Sequence, residues 1–128
     1  MIAPSLGSIL LADSVVQDER TGKLTISGIF DHIEIAPGSC YADGVCVFFS
    51  VGNVHGRERL RLQFVDLEDD SVLLEREVIV EATPLETTDL TVRINSIPVP
   101  HLGTFAWELY HREERIGSAR IRVTSRAA

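Results

Sequence analysis

The sequence predicts an all-β protein: a two-layer antiparallel β-sandwich of about eight strands, immunoglobulin-like or related in topology, forming a single domain over residues 1–128. Three observations carry this expectation. Val, Ile, Thr and aromatic residues recur in short segments broken by Gly, Pro and acidic turns. No stretch keeps an apolar face at helical spacing for long, and the alternation has a period of two. Finally, a chain of 128 residues, 45% of them hydrophobic, can fill one core without metals or crosslinks but is too short for a second domain.

The expected strands cover residues 8–17, 24–31, 45–54, 59–66, 72–82, 89–97, 103–111 and 116–124. In the first, Ile9, Leu11 and Val15 share the core-facing phase, and Asp13 falls on the same phase. A buried acid needs a hydrogen-bonding partner, so Asp13 reads as a strand-end bend or a buried turn cap rather than a catalytic group. The segment Val45-Cys46-Val47-Phe48-Phe49-Ser50-Val51 is apolar on both faces, as expected for a buried, central strand. The stretch from Pro37-Gly38-Ser39 to Gly44 reads as the longest irregular segment and a mobile rim.

Leu60, Leu62 and Phe64 alternate with Arg59, Arg61 and Gln63, giving one core face and one wet face and placing this strand on the outside of a sheet. The acidic, turn-prone run from Asp66 to Ser71 then suits a hairpin that sets Arg59 and Arg61 beside Glu75 and Glu77. A second hairpin puts Phe105, Trp107 and Leu109 on one face with Ala119, Ile121 and Val123, leaving Glu108, Tyr110, Arg120 and Arg122 on the other. Ile97-Pro98-Val99-Pro100 reads as a corner between sheets, because each proline fixes its backbone and lacks an amide donor. The expected core also includes Val92 and Ile94.

With 12 basic and 19 acidic residues the net charge is −7, which argues against nonspecific nucleic-acid binding. Apolar runs such as Ile9 to Ala12 are far below the roughly 20 residues of a membrane-spanning helix, and no Lys or Arg precedes Arg20 to begin a secretory signal. The expectation is a cytoplasmic protein in which Cys40 and Cys46 stay reduced.

Charge is segregated along the chain: residues 66–89 hold nine acids and one Arg, a balance of −8, whereas residues 112–126 hold five Arg and two Glu, a balance of +3. On different surfaces, these segments would favour head-to-tail subunit contacts.

Catalytic constellations are not recognisable. His32, His55, His101 and His111 are scattered and read as surface or loop histidines, without the spacing of a helical zinc motif. Asp66, Glu68, Asp69 and Asp70 crowd one turn, as calcium loops do, but the regular Asp/Asn-Gly loop ending in Glu is missing. Neither Gly7-Ser8 nor Gly117-Ser118 forms a nucleophile elbow, and there is no glycine-rich phosphate loop. No enzyme, cofactor or metal is therefore expected, and the chain should fold without an ion.

Leu10-Leu11-Ala12-Asp13-Ser14-Val15, followed by Thr21-Gly22-Lys23-Leu24-Thr25-Ile26 and Gly28-Ile29-Phe30-Asp31, and then the end from Gly103 through Glu108-Leu109-Tyr110 to Ile116-Gly117, resemble a family of small bacterial proteins catalogued as a domain of unknown function. The resemblance covers nearly the whole chain. It implies a compact β protein and carries no catalytic residues. The later half is also similar to immunoglobulin-like sandwiches at Gly103, Phe105 and Trp107, but Phe105 lacks the hydroxyl of a corner tyrosine and the usual cysteine pair is absent.

The functional expectation is a noncatalytic protein-interaction or assembly module of a bacterial cytoplasmic complex. Its partner would be another protein or a second copy, with no nucleic acid and no membrane. The candidate interaction edge is the first strand, through Ser8, Leu10, Ala12, Ser14 and Val16, because it is polar on both phases and lies near a terminus. Proline at Val15 or Val16 should then weaken docking. The alternative is a small-molecule or carbohydrate-binding sandwich using Tyr41 and Tyr110, with Asp13 and His32 as the residues through which to test for an enzyme.

Overall fold

Strand propensity and period-two burial produce nine strands in a computed structural model that describes residues 4–126. They are β1 (Ser5–Gln17), β2 (Leu24–Phe30), β3 (His32–Ile35), β4 (Tyr41–Gly52), β5 (Gly56–Asp66), β6 (Val72–Ala82), β7 (Thr88–Pro98), β8 (Gly103–His111) and β9 (Glu114–Ser125). One sheet has the order β2-β1-β4-β7, and the other β3-β9-β8-β5-β6. Neighbours are antiparallel except β3 and β9, which run parallel from His32 opposite Arg122 to Ile35 opposite Ser125.

The strand beyond the expected eight is β3. The chain leaves the first sheet at Phe30 and joins the second at His32, with Asp31 alone between them. A period-two pattern reports which side chains are buried but carries no mark of a change of sheet.

Both sheets turn their apolar phase inward. Leu11, Val47, Phe49 and Ile94 from the first meet Leu60, Leu62, Phe64, Phe105, Trp107, Leu109, Ile121 and Val123 from the second. Phe64 stacks on Phe105 with ring centroids 5.2 Å apart and tilts against Trp107 at 4.8 Å. Val92, expected in the core, is half-buried at its margin. As expected for a central strand, β4 is buried on both phases, Cys46 and Phe48 included.

Two expectations about individual strands are corrected. Strand β5 lies between β8 and β6 rather than on the outside, so Gln63 is buried and donates to Glu75 Oε2 at 2.7 Å. Residues 41–44, expected in an irregular rim, belong to β4 and pair with β7.

Both hairpins form as expected. Residues 67–71 join β5 to β6, and Arg59 and Arg61 reach Glu77 and Glu75 at 4.0 and 3.9 Å. Among the described residues no ion pair joins the acidic segment to the basic one: Arg115 pairs with Glu108 on its own sheet. Since Arg59 and Glu77 are well exposed, a double-mutant cycle on them in thermal or urea unfolding is expected to give a coupling below about 1 kcal/mol.

Candidate functional site

The route of the chain from β2 to β3 leaves one side of the sandwich half covered. Strand β2 pairs with β1 from Leu11 opposite Phe30 to Gln17 opposite Leu24. Among the described residues, nothing pairs with residues 5–10 of β1 on the side away from β4. The same holds for β9, where β3 begins opposite Arg122 and leaves residues 114–121 without a strand on the side away from β8. Two stretches of strand backbone therefore present open edges at the same side of the sandwich.

Side chains shape the gap between them. Leu6 packs onto position 117, where any Cβ would collide with it, so Gly117 lets the two sheets close together above the gap. Below lies an open cleft of about 370 Å³, lined by Ile9, Leu10, Phe30 and Ala119, with Asp31 and Arg120 at its polar margin. Ile29 stands beside it, 63% exposed. The stretches from Leu10 to Val15, Gly28 to Asp31 and Ile116 to Gly117 thus converge on one place.

Of the residues expected to form an edge, Ser8 and Leu10 lie in the open half of β1. Ala12 lies between β2 and β4, whereas Ser14 and Val16 pair with β2 alone, because the β1–β4 ladder ends at Ala12 opposite Cys46. Val15 lies opposite Ile26 and Val16 opposite Thr25 in the β1–β2 ladder, so of these two adjacent amides one faces β2 and the other faces away from it. The sequence did not pick out Leu6, and it named Ile29 and Arg120 without assigning either to an interaction edge; its signal for this place was the set of motif stretches that include Gly28 and Gly117.

Asp13 is exposed rather than buried, and its carboxylate lies over Gly28, at φ +70°, where a side chain would overlap it. Asp13, His32, Glu34 and Asp43 line a second open cleft of about 360 Å³. There His32 Nε2 hydrogen-bonds Thr124 Oγ1 at 2.7 Å, and among the described residues no carboxylate orients its other nitrogen.

Tyr41 and Tyr110 lie on different sheets and do not form a shared aromatic site. Tyr110 is engaged: its hydroxyl donates to Glu108 Oε1 at 2.9 Å and its ring lies 5.3 Å from the Arg61 guanidinium. Burial, then the bond to Glu108, raises its pKa.

His32 and His55 are exposed and His101 lies in a loop, as expected, and His111 departs from that reading. His111 is buried, with Nε2 2.9 Å from Glu58 Oε2. His101, in the corner before β8, reaches the acidic turn 35 residues earlier in the chain, with Nε2 2.5 Å from Asp66 Oδ2 and 3.5 Å from Glu68 Oε2. The Leu102 carbonyl bonded at Nδ1, followed by Asp66, raises the pKa of this imidazole above its ordinary value. Asp69, which the sequence grouped with these acids, instead accepts from Ser71, and those bonds hold its carboxyl below the usual range. Among the described residues, Asp66, Glu68 and His101 are the one trio of metal-competent donors brought within 4.8 Å of one another.

Fold and site together define an all-β, two-sheet protein with one half-open side. The chain belongs to a family of unknown function, DUF6941, which it matches over residues 7–124. Among curated proteins, none matches it. Among the described residues, no helix is long and apolar enough to cross a membrane.

Proposed function

We propose that the protein is a noncatalytic interaction module that takes up an extended segment of another protein, or of a second copy, at its half-open side. The observation that carries this reading is the pair of open edges, residues 5–10 of β1 and 114–121 of β9, flanking an apolar cleft. An incoming strand satisfies unpaired amides and carbonyls while its alternate side chains enter the cleft, so backbone bonds supply affinity and the Leu10, Ile29 and Ala119 surface supplies selectivity. The parallel β3–β9 pair beside an antiparallel hairpin supports an immunoglobulin-related arrangement. Free Cys40 and Cys46 support a reducing, cytoplasmic setting, and the family resemblance supports a bacterial one.

The test reads backbone pairing directly. Neighbouring residues of an antiparallel strand point their amides to opposite sides, so of Ile9 and Leu10 one amide faces β4 and the other faces the open side. Proline at the outward position removes a donor without breaking the β1–β4 ladder. That variant is expected to stay folded and to lose at least tenfold in affinity for extended peptides selected from a display library, or in self-association measured by light scattering. Amide shifts on binding should map to residues 5–10 and 114–121. A chain that stays monomeric, with selected peptides mapping elsewhere, would remove the reading.

A further inference from the structure

We propose that Asp66, Glu68 and His101 form a binding site for one divalent transition ion of the Zn²⁺ class, fastening the β5–β6 turn to the corner before β8. This is independent of strand uptake: the donors lie at the end of β5, in the turn after it and in the corner before β8, whereas the open edges belong to β1 and β9.

The donors come from three places that the fold brings together: the end of β5, the turn after it, and the corner between sheets. Their orientation is set by groups outside the trio. His101 Nδ1–H donates to the Leu102 carbonyl at 2.7 Å, and its ring stacks on Phe105 with centroids 5.2 Å apart. That leaves Nε2 turned to the two carboxylates, the arrangement in which a ligating imidazole has its second nitrogen tied to a carbonyl. Asp66 is 2% exposed, and its Oδ1 accepts the Glu68 amide at 3.0 Å, so Oδ2 is the oxygen directed at the histidine. A carboxylate this buried with a second carboxylate close by calls for positive charge between them.

Chemistry selects the ion. Carboxylates alone favour calcium or magnesium, whereas an imidazole nitrogen with carboxylate oxygens suits zinc and its first-row neighbours. The 3.5 Å separation of Nε2 and Glu68 Oε2 already suits bonds of about 2.0–2.2 Å to a shared centre. Nε2 and Asp66 Oδ2, 2.5 Å apart, must part by about 0.8 Å to reach tetrahedral spacing as the ion replaces the hydrogen between them. Glu68 is the exposed member, so a fourth position faces solvent and takes water. The trio lies at the margin of the core, and the chain is expected to fold without the ion.

The experiment titrates ZnCl₂ into the full chain after chelator treatment, by calorimetry, with Co²⁺ as a visible-spectrum probe. One ion per chain is expected, together with a rise in the thermal midpoint. Both should be abolished in His101→Gln and weakened at least tenfold in Glu68→Gln, an exposed substitution that preserves the fold. His32→Gln, His55→Gln and Cys40→Ser should bind as the wild type does. No zinc bound by the wild type, or binding unchanged in both His101→Gln and Glu68→Gln, would overturn the site.

Discussion

Replacing Trp107 with alanine is expected to lower the stability of the fold by about 3–5 kcal/mol, a large share of what a domain of this size possesses. The indole is fully buried at the centre of β8, tilted against Phe64, and it lies between strands that make up the middle of the five-stranded sheet. Truncation removes the largest side chain of the core and leaves a cavity whose walls are themselves held in ladders, so collapse is limited. The Nε1–H of Trp107 has no hydrogen-bond acceptor among the described residues. An unpaired buried donor opposes folding, so Trp107→Phe, which keeps an aromatic ring and removes that donor, should fall within about 1.5 kcal/mol of the wild type. Urea unfolding followed by far-UV dichroism separates the two outcomes. A Trp107→Ala protein as stable as its parent would mean that the core is not built around this residue.

What could be read from the sequence follows from how local each feature is. The β5–β6 and β8–β9 hairpins were legible because alternation and an intervening turn lie within a short span; the observed registers place Phe105 opposite Ile121 and Trp107 opposite Ala119. The burial of β4 was legible because Phe48 and Cys46 make its second phase apolar as well. The half-open side was not, since it depends on where the chain changes sheets at Asp31: the inward phase slips there from Leu24, Ile26 and Phe30 to Ile33 and Ile35, and such a slip looks the same in sequence when a strand stays in its sheet. His101 does lie in a loop, but its acidic partners were not legible for a related reason. Its partner Asp66 is far off in sequence, and only the crossing from β7 in one sheet to β8 in the other brings the corner over the turn. Asp13 shares the phase of Leu11, yet it is exposed with its carboxylate over Gly28, a cross-strand neighbour that phase alone does not identify.

Gly44→Ala is expected to be the most damaging change of a single methyl, costing about 1–3 kcal/mol or more through overpacking. Ala42 and Val45, three positions apart, both belong to the core, and so do their partners Ile97 and Ile94 on β7. A regular strand would turn one of each pair outward, so β4 and β7 change phase together here, and Gly44 is the residue at the crossing. Position 44 faces main chain rather than a movable side chain: a Cβ there would meet the Ile94 carbonyl oxygen and lie 2.8 Å from that of Asn95. Because β7 is an edge strand, it can yield only by withdrawing from β4, which breaks ladder bonds on both sides of the bend. Hydrogen exchange should therefore show lost protection centred on residues 42–45 and 94–97, with β8 and β9 retained, and the urea midpoint should fall. Alanine tolerated at position 44 with unchanged exchange would mean that the two backbones do not approach this closely in solution.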